Sequence, residues 1–231
     1  ACTNAMTGLL SAWQDSVPCI FISGQSRSNH TSYGKKVRQT GTQEVNICDI
    51  VRPITKYASF VKNKNNFQEE LRKALSIAIS GRPGPVWLDI PLDIQWSEIN
   101  YTKKSKVSKI LKNNPVSNSK INNFIKLCKN SKKPLILMGY GCRLSDPKIP
   151  NIRYFISKNK IPFVSTWNTK DFFPSNHVLN LGTIGMSGQR GANKAMFEAD
   201  LIICLGSHLS IPHTTTLYEN YAPRSKKIIV N

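Results

Sequence analysis

An α/β architecture is what this 231-residue sequence predicts: two units with parallel sheets flanked by helices, the second a Rossmann-like central domain. Two observations carry that reading. Short, mainly apolar runs at residues 19–22, 85–90, 135–138, 162–165 and 201–205 alternate with segments whose apolar residues recur at helical spacing. Between residues 95 and 118 the apolar density falls and Lys, Ser and Asn dominate, the composition of an exposed connection. The expected organisation is therefore a first unit over 1–96, a basic linker over 97–118 and a second unit over 119–231.

Taken in order, Leu9, Leu10 and Trp13 define a first helix that Pro18 ends, and residues 19–22 form a buried strand. Polar residues 26–41 read as a loop. Residues 43–51, with Val45, Ile47, Ile50 and Val51, read as a short helix for which Glu44 is the cap. Residues 67–80 form a strong helix with Leu71, Leu75, Ala78 and Ile79 on one face, closed by Gly81, Arg82, Pro83 and Gly84 before the strand at 85–90. The second unit repeats helix (119–130), strand (135–138), helix (149–159), strand (162–165), helix (192–199) and strand (201–205). Such alternation with short loops implies a parallel sheet covered on both faces, with ligands at the carboxyl ends of its strands. The chain opens inside a helical segment and closes on an apolar run at 226–231, so it reads as a piece of a longer polypeptide.

Composition narrows the function classes. No run approaches eighteen apolar residues and no basic-then-apolar leader opens the chain, so the reading is of a soluble cytoplasmic protein without membrane association. The net charge is +19, and ten of the 32 basic residues are lysines between Lys103 and Lys133, a stretch without an acid. No aromatic stacking motif interleaves those lysines as in single-strand binders, so a solvated linker and helix face is preferred to a nucleic-acid interface. The six cysteines are scattered among apolar neighbours and read as reduced thiols, and His30, His177, His208 and His213 lack metal-site spacing.

Three glycine-bearing turns follow strands in the second unit: Gly139-Tyr140-Gly141, the run from Gly185 through Met186, Ser187 and Gly188 to Gly191, and Gly206-Ser207. Missing Cβ atoms there allow close backbone approach to a nucleotide, although none of the turns carries the dinucleotide fingerprint. In the first unit Gln25 at a strand end and Gln43 near a helix start are candidate carbonyl- or carboxylate-binding groups. Spacing alone supports a nucleotide-binding α/β protein.

Read in order, Thr3-Asn4-Ala5, Phe21-Ile22-Ser23-Gly24-Gln25, Gly41-Thr42-Gln43-Glu44, Thr55-Lys56-Tyr57 and the run from Ser80 through Arg82 to Pro91 resemble the back half of the pyrimidine-binding domain of thiamine-diphosphate-dependent enzymes. The similarity is to the acetolactate (acetohydroxyacid) synthase branch. Gly185-Met186-Ser187-Gly188, Ala192-Asn193, residues 199–203 and Leu205-Gly206-Ser207 resemble that family's central domain. The resemblance implies an enzyme that decarboxylates a pyruvate-like 2-oxo acid and transfers the two-carbon unit to an acceptor carbonyl. Its cofactors would be thiamine diphosphate with Mg2+, the latter held mainly by a further domain, and FAD, in a homodimer or homotetramer.

Residue by residue, the resemblance implies that Asn4 lies beside the thiamine pyrimidine and that Gln25 and Gln43 line the substrate pocket. It implies FAD contacts for Arg82, Gly139, Gly141, Thr166, Trp167, Asn168, Met186, Ser187, Gly188, Gly206, Ser207 and His208. Ser187 and His208 stand where synthases usually have His and Arg, and Thr42 and Leu92 replace an aromatic residue and a lysine. Residues 206–212 look more like synthase-like proteins of surface-polysaccharide sugars, in which a keto-sugar accepts the two-carbon unit. The alternatives are a non-flavin 2-oxo-acid decarboxylase and a basic nucleic-acid-binding protein.

Overall fold

The computed structural model describes residues 2–99, 116–145, 149–214, 216 and 220–230. The lysine-rich connection expected at 97–118 lies for the most part outside the described residues. The chain divides into two compact units, Ala1–Asn114 and Pro115–Asn231.

In the first unit α1 (Met6–Gln14) leads to β1 (Ile20–Gln25), α2 (Ile47–Val51), β2 (Tyr57–Phe60), α3 (Phe67–Ile79), β3 (Val86–Pro91) and the single turn α4 (Leu92–Gln95). The strands form a parallel sheet in the order β1-β3-β2. All six residues of β3 are buried, the continuous burial expected of a central parallel strand. Period-two alternation divides them. Trp87 packs with Leu9, Ile47, Cys48 and Val51 of α1 and α2, while Val86 and Leu88 face Ala74 and Ala78 of α3.

Three details differ from expectation. Helix α1 stops at Gln14, where Ser16 takes a left-handed φ of 57° and Val17 N–H closes on the Ala12 carbonyl at 2.9 Å; Pro18 only follows this stop. The buried stripe of α3 runs through Leu71, Ala74 and Ala78, leaving Leu75 and Ile79 exposed by 41% and 49%. Each lies one residue, about 100°, further around the helix, and the alanines permit the closer approach to β3. Strand β2 carries no apolar run and is half-buried, so its sequence pattern does not announce it.

The Thr55-Lys56 pair is explained by local structure. Thr55 Oγ1 donates to the Val51 carbonyl at 3.0 Å, and Lys56 Nζ donates to the Ile77 and Ser80 carbonyls at the carboxyl end of α3. A cation there satisfies acceptors the helix leaves open and complements its dipole. Lys56→Met is therefore expected to lower stability by about 1–2 kcal/mol, read as a lower urea midpoint; an unchanged midpoint would show the cap to be dispensable.

The second unit contains α5 (Asn118–Asn130), β4 (Pro134–Met138), α6 (Gly141–Leu144), α7 (Ile149–Asn159), β5 (Phe163–Ser165), β6 (Asn180–Thr183), α8 (Arg190–Glu198), β7 (Leu201–Leu205), α9 (Ile211–Thr214) and β8 (Lys226–Val230). Its parallel sheet has the order β6-β5-β4-β7-β8. Leu135 and Leu137 join Ala192 and Met196 of α8 on one face; Ile136 and Met138 join Ile156 of α7 and Phe163 on the other. The chain winds outward from β4 through β5 to β6 and then returns to β7 on the other side of β4. The order reverses between β4 and β7, the switch point at which sheets of this kind place ligands. Strand β6, with Gly182 and two polar residues, is an edge strand that the apolar pattern misses. Among the described residues no helix is long and apolar enough to cross a membrane.

Candidate functional site

At the carboxyl end of the first sheet, parallel register sets Gln25 beside Pro91 and Ser23 beside Asp89. Asp89 is fully buried, with no cation beside it among the described residues. Ser23 Oγ donates to its Oδ1 at 2.6 Å, Gln25 Nε2 donates to its Oδ2 at 3.1 Å, and Trp87 Nε1 donates to Ser23 Oγ at 2.8 Å. Burial pushes the Asp89 carboxyl above its ordinary range against those two donors. Gln25 Nε2 also donates to the Val45 carbonyl at 2.8 Å, and its Oε1 accepts from Ser26 N–H at 2.9 Å. Both amide protons of Gln25 are thus committed to the protein, and its place is that of a brace between β3 and the loop before α2.

That loop is organised by Glu44. Its Oε1 accepts from the Ser32 N–H and, at 2.7 Å, from Ser32 Oγ; its Oε2 accepts from Thr40 N–H at 2.8 Å and Gly41 N–H at 3.1 Å. Thr40 Oγ1 donates to the His30 carbonyl at 2.6 Å. Desolvation raises the Glu44 carboxyl, but these donors outweigh it and hold it down to about 2. The expectation that Glu44 caps a helix starting near Gln43 is corrected: α2 starts at Ile47, and Asn46 Oδ1 caps it by accepting from Asp49 N–H. Gln43 lies outside that helix, at a left-handed φ of 55°, with its side chain exposed. Asn4 is exposed in the turn before α1, whose Cys2 and Ala5 pack in the same cluster as Val45. Gln25 is thus tied, through the Val45 carbonyl, to the segment that carries Gln43.

Arg82 is exposed and donates through Nε to Ser16 Oγ at 2.7 Å, which leaves the two terminal nitrogens of its fork for an anion.

In the second unit the glycine turns meet each other. A Cβ on Gly139 would lie 2.3 Å from the Gly206 carbonyl oxygen, one on Gly141 would lie 2.6 Å from Gly206 Cα, and one on Gly206 would lie 2.5 Å from Cys142 N. Gly139 N–H donates to the Leu205 carbonyl, Gly141 N–H to that of Gly206 and Gly206 N–H to that of Val230, at 2.8 to 2.9 Å. The glycines let the turns after β4 and β7 interlock, and their amides are spent on that contact. Met186 N–H and Gly188 N–H are likewise taken, by the Pro212 and Gly185 carbonyls at 2.9 Å.

Around this interlock the remaining residues make a platform. Thr166 and Ser207 are buried beneath it, exposed by 4% and 3%. Trp167 and Met186 present apolar surface, exposed by 49% and 71%. Asn168, Ser187 and His208 are exposed polar neighbours. Trp167 meets the His213 ring edge-on at 6.1 Å, and His213 lies 6.5 Å from His208. Burial, and after it His208, hold the His213 imidazole below its ordinary value. The single-turn helix α9 that brings His213 there has no sequence periodicity to find it by. The Glu44 clamp and the Asp89 brace also escape sequence reading, because their partners lie 12 and 64 to 66 residues away.

Residues 121–231 match the family model described as thiamine pyrophosphate enzyme, central domain. The chain is 34% identical to the acetolactate synthase large subunit of Haemophilus influenzae over 233 residues, covering 99% of this chain and 39% of that protein. It is 33% identical to the probable acetolactate synthase large subunit of Methanocaldococcus jannaschii (99% and 38%) and 34% identical to the acetolactate synthase large subunit of Corynebacterium glutamicum (98% and 35%). The chain thus spans under two fifths of the length of each of these relatives.

Proposed function

Since the chain belongs to the thiamine-diphosphate-dependent enzymes of the acetolactate synthase large-subunit-like family, we propose that its protein decarboxylates a pyruvate-like 2-oxo acid and transfers the two-carbon unit to an acceptor carbonyl. Similarity to acetolactate synthase large subunits along 99% of the chain carries this reading. Thiamine diphosphate, once bound, supplies the electron sink that makes decarboxylation feasible, and the protein supplies orientation and shelter from water.

This chain's share of that work is positioning. Asn4 and Gln43 present exposed amides in the first unit, to which a pyrimidine ring and a substrate carboxylate offer complementary acceptors. Gln25 braces the loop that carries Gln43, and Glu44 holds the rest of that loop. The platform of the second unit fits a flavin: Trp167 and Met186 offer surface for a flat ring, with Asn168, Ser187 and His208 as its polar rim. Arg82, in the first unit, offers the terminal nitrogens of its guanidinium to an anion. FAD on the platform would be structural, because carboligation needs no redox step. No residue of this chain is assigned to Mg2+. A homodimer or homotetramer in the cytoplasm completes the proposal, with no nucleic-acid role for the lysine-rich stretch.

The test is to supply the full-length polypeptide with thiamine diphosphate, Mg2+ and pyruvate, and to follow carbon dioxide release, acetolactate and flavin absorbance. Acetolactate from a yellow protein supports the proposal. Carbon dioxide without acetolactate, from a colourless active protein, replaces it with simple decarboxylation; turnover of no 2-oxo acid at all overturns it.

A further inference from the structure

A cleft of about 530 Å3 opens along the outer edge of the second sheet, away from the β4–β7 reversal. Ser165 and Thr183, at the ends of β5 and β6, line it together with Lys170, Ser175, Ser187 and Gln189. Among the described residues no Asp or Glu lines it. Asp171, next to Lys170 in the chain, is engaged by Arg143 at 2.5 Å.

The lining has an excess of donors. Ser165 and Thr183 are buried to 4% and 9% exposure, yet among the described residues their hydroxyls meet only each other, at 3.5 Å, the outer limit of a hydrogen bond. Gln189 gives its Oε1 to Thr183 N–H at 2.9 Å, occupying the space that a Cβ on Gly182 would need. That contact leaves Gln189 Nε2 without a partner among the described residues. The side chains of Lys170, Ser175 and Ser187 also have no hydrogen bond or ion pair with a described residue. An ammonium, an amide NH2 and four hydroxyls without an acid call for an anion rich in acceptor oxygens. The donors outnumber what the two oxygens of a carboxylate accept and suit the three terminal oxygens of a phosphate monoester. The volume exceeds that of the phosphoryl group and lies in the range of small-molecule sites.

We propose that this cleft binds a small phosphorylated molecule through its phosphoryl group, with Lys170 as the charged anchor. The site shares only Ser187 with the platform around Trp167 and does not depend on the reaction proposed above.

The probe is inorganic phosphate, titrated calorimetrically into the full-length protein at constant ionic strength. Saturable binding is expected, weakened about tenfold by Lys170→Gln, in keeping with loss of one charge-assisted hydrogen bond. Lys170 is exposed, so folding is not at stake; Gln189→Ala, checked by its unfolding midpoint, should also weaken binding. Trp167→Ala and His208→Ala should leave it unchanged. Binding that never saturates, or that Lys170→Gln does not alter, overturns the proposal. So does binding lost in Trp167→Ala, which would move the anion to the platform.

Discussion

Replacing Glu44 with alanine is expected to lower the stability of the first unit by about 2 kcal/mol or more, in the range for hydrogen bonds to charged groups. One carboxylate there joins Ser32, Thr40 and Gly41, so its loss releases the loop at three places. Water can reach part of the loop and limits the cost. Glu44→Gln should not rescue it. Oε1 receives two donors and Oε2 three, so either orientation of the amide turns an NH2 toward at least two of them. The pH dependence follows in sign. A carboxyl held at about 2 in the folded chain, against 4.5 ordinarily, contributes stability that is complete above 4.5 and is lost as pH falls toward 2. Urea midpoints measured from pH 7 to pH 2 should fall across that window more steeply in the parent than in Glu44→Gln. Equal slopes would mean that the clamp carries no net energy. Because Glu44 adjoins Gln43 in the chain, the reaction proposed above further requires this change to weaken substrate affinity in the full-length protein.

Gly139→Ala is expected to cost about 3 kcal/mol, the upper end of overpacking penalties, because the new methyl meets backbone on both sides. The Gly206 oxygen would lie at 2.3 Å and Ser207 Cα at 2.6 Å, and neither can rotate away. Gly191→Ala is the contrasting case. It belongs to the glycine run before and within α8, but a Cβ there meets nothing within 4 Å, so helix propensity should make it neutral or stabilising by up to about 1 kcal/mol. Thermal midpoints of the two variants separate a glycine required by packing from one that is not. A parent-like Gly139→Ala would show that the interlocked turns yield, and would return that glycine to a ligand-contact role.

Much of the architecture was legible in residue order. Central parallel strands, covered on both faces, favour near-continuous apolar runs, and 201–205 and 135–138 announce β7 and β4 almost to the residue. Edge strands carry no such demand. Strand β6, with its glycine and its asparagine, forms because β5 offers it a partner, and β2 forms because β3 does. Helix periodicity located α3 and put Leu71 and Ala78 on its buried face, but it added Leu75 and Ile79, which are exposed, and missed Ala74, a small residue that counts for little as an anchor.

The site divides in the same way. Motif order alone identified the family and singled out Asn4, Gln25, Gln43 and the glycine turns. What those residues touch is a matter of long-range geometry. Gln25 became a brace because the β1–β3 register sets Asp89 within its reach, and Glu44 became a clamp because the loop folds Ser32 back onto it. Local sequence encodes period and punctuation, which short-range sterics and burial enforce. The partner of a buried donor is chosen by chain folding across tens of residues, and only the tertiary structure decides it.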